Sequence, residues 1–226
     1  MNKNILDEIL SALENKTPIA LVSELKTGNQ GIVYEDSVSG LLEITDDITE
    51  LARTSISDDS SRQSGDVFIQ VFNPPKRLII VGAVHIAQPL VEIGKTAGFS
   101  VTIVDPRGAF ATSSRFPNVD LNEDWPDKAL ISLGIDNRTA VVTLTHDPKL
   151  DDPALEVALR TNAFYIGSLG SKKTHSKRIV RLKESGFDEH QISRIHGPIG
   201  LDIGSKSPAE IAISIMAEIT KALHAT

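Results

Sequence analysis

Apolar positions recur in two regimes along this chain. Ile5, Leu6, Ile9, Leu10 and Leu13 follow a helical spacing, which predicts a short amphipathic helix over residues 4–15 that Pro18 closes. Residues 19–25, 31–35 and 40–44 then read as strands. A helical stretch begins at Asp46 and dissolves into the polar run 55–66, whose composition predicts a mobile linker or surface loop. Residues 67–72 form a further strand, and Asn73-Pro74-Pro75 marks a boundary because consecutive prolines hold the chain extended. Residues 1–74 are therefore expected to form a small α+β module. From residue 75 to 226 strand and helix patterns alternate. Strands are expected at 77–81, 100–104, 139–144 and 163–167, with a short one near 118–121, and helices at 85–97, 126–133, 152–161, 171–185 and 208–223. That alternation predicts an α/β domain with a mostly parallel sheet covered by helices on both faces. Its last helix carries the clearest start, with Ser207 as cap, Pro208 at the first helical position and Glu210 completing a capping box.

One stretch goes further than fold class. Residues 77–87 read as a buried strand, a tight turn and a helix, and residues 101–105 as a second apolar strand ending in Asp105. Together they outline a Rossmann-like βαβ unit, in which free N–H groups at the helix start face an anion above the sheet. Asp105 lies 23 positions after Gly82, close to the interval of about 20 at which such an acid meets a ribose hydroxyl. Val84 occupies a position where a dinucleotide loop needs glycine, because a side chain keeps the backbone from a pyrophosphate.

Composition narrows the function classes. The 226 residues are 40% hydrophobic, 23% charged and 4% aromatic, ordinary for a globular protein with an aliphatic core. A net charge of −7 argues against nucleic-acid binding by phosphate neutralisation. The cluster Lys172, Lys173, Lys177, Arg178 and Arg181 has the spacing of a solvated helix face. No cysteine occurs, so disulfides, thiolate metal sites and cysteine nucleophiles are excluded in this chain. The N-terminal run lacks the apolar core of a signal peptide, and no apolar run reaches the ~18 residues of a membrane span. A cytoplasmic protein is expected.

In a doubly wound sheet, ligands bind beyond the carboxyl ends of the strands. Four loops fall there: Gly82, Ala83, Val84 and His85; Asp105-Pro106-Arg107 with Arg115-Phe116-Pro117; Thr145-His146-Asp147; and Gly167-Ser168-Leu169-Gly170-Ser171. His85, at a helix start, favours a neutral ring that can donate to a ligand oxygen or satisfy a local backbone group. Asp105 and Arg107 either hold a ligand, the arginine gripping a phosphate bidentately, or pair to fix their own loop. Thr145, His146 and Asp147 match no zinc or calcium spacing; Asp151 or Asp152 is expected to cap a helix beside Pro153. Gly167, Ser168, Gly170 and Ser171 form a candidate anion nest. A final loop, 196–204, brings Gly200 and Asp202 toward the same cleft.

The residues resemble the XdhC/CoxI family of accessory proteins for molybdenum hydroxylases. The resemblance rests on seven segments in order: residues 74–85, 104–107, 115–117, 144–147, 165–171, 198–204 and 207–212. It implies a non-catalytic chaperone that binds molybdenum cofactor (molybdopterin) as cargo, supports its sulfuration and delivers it to a xanthine dehydrogenase-type apoprotein. It further implies partnership with a cysteine desulfurase and a homodimer. The pterin phosphate would lie near the Gly82 and Gly167 loops, with Asp105, Arg107, His146 and Asp202 around it. The N-terminal module lacks the serine/proline/arginine motif and the glycine-rich, cysteine-containing segment of the family, and Val84 replaces its usual glycine. Two other readings use the same cleft: an NAD(P)-dependent oxidoreductase, and a degenerate Rossmann scaffold that binds only a partner protein. No catalytic constellation such as Tyr-x-x-x-Lys is evident for the first.

Overall fold

A computed structural model describes residues 3–225; Met1 and Asn2 of the N-terminal run, and Thr226, lie outside the described residues. The chain divides into two compact units, Met1–Pro74 and Pro75–Thr226.

In the first unit, helix α1 (Lys3–Glu14) buries Ile5, Ile9 and Ala12 and leaves Leu6, Leu10 and Leu13 exposed. Strands β1 (Ile19–Glu24), β2 (Gln30–Val33), β3 (Val38–Gly40), β4 (Arg62–Ser64) and β5 (Val67–Phe72) form an antiparallel sheet in the order β3-β2-β1-β5-β4. Helix α2 (Asp46–Ser57) packs Ala52 against Ala20, Val22, Val33 and Ile69. Two expectations are corrected here. The third strand lies at Val38–Gly40 rather than 40–44. The polar run 55–66 is ordered: α2 continues through Ser57, and Arg62–Ser64 pairs with β5. A two-residue Gly65-Asp66 turn, with Gly65 at φ 57°, closes that hairpin, a turn in which glycine supplies the positive φ that tight hairpins demand.

The second unit is built on six parallel strands: β6 (Arg77–Val81), β7 (Ser100–Val104), β8 (Asp120–Asn122), β9 (Thr139–Thr143), β10 (Tyr165–Ser168) and β11 (Ile195–His196). Their order, β11-β10-β9-β6-β7-β8, is the doubly wound arrangement that reverses between its first and fourth strands. Successive residues of β6 serve opposite faces, as the pleat requires. Leu78 and Ile80 join the layer of α3 (Ala87–Thr96) and α8 (Pro208–Leu223), whereas Ile79 and Val81 join that of α4 (Pro126–Leu133), α5 (Pro148–Leu159), α6 (Lys172–Glu184) and α7 (Glu189–Ser193). Burial on both faces explains why these strands are continuous apolar runs.

Several boundaries differ from expectation. Helix α3 begins at Ala87, leaving His85 in the turn before it, and β8 lies at Asp120–Asn122. Helix α5 starts at Pro148 with Asp147 as its cap, so neither Asp151 nor Asp152 caps it and Pro153 sits inside the helix. The short α7 and β11 have no counterpart among the expected elements. The capping box at α8 is present: Ser207 Oγ accepts from the Glu210 N–H at 3.3 Å, and Glu210 Oε2 accepts from the Ser207 N–H at 2.8 Å. Ser207→Ala is expected to lower stability by about 1 kcal/mol, seen as a lower urea midpoint at unchanged slope. An unchanged midpoint would show that the cap contributes nothing.

Candidate functional site

The reversal point lies between the carboxyl ends of β6 and β9. The two end loops touch there. A Cβ on Gly82 would stand 2.6 Å from Thr145 Cγ2, and Gly82 has φ 111°, so contact with the β9 loop already requires glycine at this position. Beyond it, the Ala83 N–H donates to Asp105 Oδ2 at 2.8 Å. Arg107 grips the same carboxylate: Nη2 donates to Oδ2 at 2.8 Å, while Nε and the backbone N–H donate to Oδ1 at 2.9 and 3.0 Å. Asp105 is fully buried, and all four donors come from its own turn and from Ala83. Burial pushes its carboxyl up, but the Arg107 guanidinium and the two backbone N–H groups outweigh that and hold it below the ordinary carboxylate value. Arg115 closes the other side of the loop, its Nη1 donating to the carbonyls of Ala83 at 2.9 Å and Phe110 at 2.7 Å. Val84 is half-buried against the α3 and α8 core, and His85 is exposed.

The loop after β9 is organised around a second buried acid. Asp151 Oδ1 accepts from Thr145 Oγ1 at 2.6 Å and from the Thr145 N–H at 3.3 Å, and Oδ2 accepts from the His146 N–H at 3.1 Å. These bonds hold His146 at φ 62°, a left-handed conformation that a non-glycine residue adopts only when its surroundings fix it. Burial raises the Asp151 carboxyl, with the Thr145 bonds and the Arg178 charge acting in the opposite direction. Asp147 caps α5 through the Lys149 N–H at 3.0 Å, and both Asp147 and Asp151 lie near enough to raise the Arg107 pKa further, after Asp105 itself. The Asp105-Arg107 and Thr145-Asp147 loops thus lie near enough for their charges to interact.

The remaining candidates separate. Gly167 is buried, and a Cβ there would stand 2.6 Å from Ile199 Cδ1 and 2.7 Å from Tyr165. Ser168 is buried with its hydroxyl 2.5 Å from that of Thr143. Gly170, at φ 146°, leads into Ser171, which caps α6 by accepting from the Thr174 N–H. Gly200 lies where a Cβ would collide with Ser214 Oγ, and Asp202 is exposed. The final loop is held by a residue that no sequence motif marks. Glu218 Oε2 accepts from the Tyr165 hydroxyl at 2.6 Å and from the Gly200 N–H at 2.8 Å, and Glu218 Oε1 lies 3.3 Å from His196 Nδ1. Burial, and then the bond to Glu218, raise the Tyr165 pKa. The expected solvated face on α6 holds for Lys172, Lys173 and Lys177, which are exposed, and is corrected at its other two members: Arg178 is 1% exposed, and Arg181 pairs with Asp152. The buried side of α6 shows in the apolar spacing of Ile179 and Leu182, beside which Arg178 falls.

These features define a Rossmann-type domain whose first-strand loop is closed by its own acid. Known proteins agree with that class: residues 78–219 match the family model described as XdhC Rossmann domain, and the chain belongs to that family. It is 37% identical over 158 residues, 70% of this chain and 46% of the relative, to a protein of Bacillus subtilis (strain 168) named as a probable xanthine dehydrogenase component. It is 30% identical over 148 residues, 66% of this chain and 40% of the relative, to the molybdenum cofactor insertion chaperone PaoD of Escherichia coli (strain K12). A crystal structure described as a xanthine dehydrogenase from Bacillus halodurans superposes over 97% of this chain and 64% of that one, with TM-score 0.73 at 25% identity. The chain spans less than half the length of these two curated relatives. Among the described residues no helix is long and apolar enough to cross a membrane, and no cluster of acids and histidines is placed to hold a metal ion.

The Asp105 geometry has a measurable consequence. Because its folded pKa is depressed, its contribution to stability is complete above the unfolded value of about 3.9 and is lost as pH falls through the folded value. Asp105→Asn is expected to cost about 2 kcal/mol at neutral pH, less than a wholly buried pair would, since the Arg107 side chain is 38% exposed. The gap between variant and wild type should close in acid. A variant as stable as wild type at neutral pH would contradict the assignment.

Proposed function

We propose that this chain is an accessory protein for a molybdenum hydroxylase, and that it holds molybdenum cofactor as cargo at the cleft beyond β6 and β9. Membership of the XdhC family and kinship with a relative named as a molybdenum cofactor insertion chaperone support this reading. The cofactor's insertion into a xanthine dehydrogenase-type apoprotein, support of its sulfuration with a cysteine desulfurase, and action as a homodimer are the finer parts of the proposal.

The observation that carries the choice between this cargo and a nicotinamide dinucleotide is the Ala83 amide. A dinucleotide needs the first loop's N–H groups for its pyrophosphate and a free acid at the second strand for its ribose. Here the Ala83 N–H and the Asp105 carboxylate consume each other, and Arg107 saturates what remains. Val84 adds a side chain where close approach is required. The groups left to meet a ligand are therefore further out over the sheet: His85, the outer face of Arg107, His146, Asp147, Ser171 and Asp202, with Gly82, Ala83 and Asp105 as frame and Thr145, Gly167, Ser168, Gly170 and Gly200 shaping the loops. A ligand placed there avoids the closed loop.

Titration of wild type and Val84→Gly with NADH, NADPH and molybdenum cofactor tests the reading. Saturable binding of molybdenum cofactor is expected in both proteins, with no dinucleotide binding in either, because removing the valine side chain leaves the Ala83 amide engaged. Tight binding of NADH or NADPH by the wild type would overturn the proposal and favour the oxidoreductase.

A further inference from the structure

Arg178 is the largest fully buried side chain among the described residues. A guanidinium offers five N–H donors, and this one is poorly served. Its Nη2 donates to the Leu169 carbonyl at 2.9 Å, and that nitrogen lies 4.0 Å from Asp151 Oδ2. Nε and Nη1 are buried with no hydrogen-bond partner. Leaving donors of a buried cation unmade is among the more expensive arrangements a fold can hold, and burial lowers the Arg178 pKa accordingly, against the opposing pull of Asp151 and Asp152.

Arg178 helps line a cavity of about 240 Å³ between α5 and α6. Lys173 and Lys177, one helical turn apart and both exposed, stand at its rim, with Thr174 between them in the first turns of α6. Two carboxylates also line it, and both are already engaged. Asp151 takes the Thr145 and His146 donors, and Asp152 is gripped by Arg181 through Nε at 2.5 Å and Nη2 at 3.0 Å. Lys173 and Lys177 have no ion pair among the described residues. Surplus positive charge therefore gathers along the first half of a thirteen-residue helix, whose first turn also favours anions. The volume is below the roughly 300–1,000 Å³ of pockets that enclose whole cofactors. It suits one tetrahedral anion.

We propose that this cavity is a phosphate site, in which Arg178, Lys173, Lys177 and Thr174 receive inorganic phosphate or the phosphate group of a monoester. His146, one of the groups proposed to meet the cofactor, also lines this cavity, so the two sites adjoin, but phosphate recognition by the α6 side chains does not depend on the molybdenum cofactor reading.

Calorimetric titration of the full chain with sodium phosphate and with phenyl phosphate, at matched ionic strength in chloride, tests it. One-site saturable binding is expected in the wild type, weakened at least about tenfold by the double substitution Lys173→Ala and Lys177→Ala. Those lysines are exposed, so the variant should keep its circular dichroism spectrum. Arg178→Lys, which keeps the charge and loses the planar fork, should also bind more weakly. Binding of phenyl phosphate at least as tight as that of phosphate identifies an organic monoester; binding of inorganic phosphate alone identifies the free ion. Either result supports the site. No saturable binding of either probe, or equal binding by wild type and the double lysine variant, overturns it.

Discussion

A buried carboxylate must find donors. Asp105 finds four, and they close the first loop of the domain on itself. Three come from Arg107 and one is the Ala83 N–H, a group that in a doubly wound fold ordinarily faces a phosphate. The same bonds tie the end of β6 to the end of β7, beside the reversal point. Gly82 adds the second constraint, since its positive φ and the lack of a Cβ allow the β9 loop to pass against it. The first loop is thus fixed from two sides, by an acid and by a neighbouring turn.

A parallel logic governs the loop after β9. Asp151 gathers the Thr145 and His146 N–H groups and holds His146 in a left-handed conformation. The counter-charge for that acid, Arg178, is itself buried and incompletely bonded. Two buried charges therefore set this loop, and the second keeps unmade donors beside the cavity between α5 and α6.

Much of this architecture is legible in the sequence. Strands β6, β7 and β9 and helix α8 stand where their patterns place them, and β10 starts two residues later than its pattern suggests, because strands buried on both faces leave continuous apolar runs and because Ser207, Pro208 and Glu210 state a helix start in three residues. Asp-Pro pairs are less decisive. Asp147-Pro148 and Asp152-Pro153 carry the same signal, and only the geometry of the β9 loop, which uses Asp151 as an anchor, selects the first as the start of α5. Helix α7 has only five residues, too few for a periodic pattern, yet its capping box from Asp188 to Gln191 is present in the sequence. The candidate site is legible as a set of loops. The pairings within it are not: that Asp105 closes on Ala83, that Arg178 turns inward from a basic helix, and that Glu218 holds the final loop all depend on contacts between residues far apart in the chain.

The Ala83 amide offers the most direct measurement of the central claim. In the folded protein its ¹⁵N–¹H resonance should be protected from solvent exchange, should shift as Asp105 is protonated below the ordinary carboxylate range, and should stay unmoved when NADH is added. An amide that exchanges freely, ignores the protonation of Asp105 and shifts on addition of NADH would show that the loop is open to a dinucleotide, and would contradict the account.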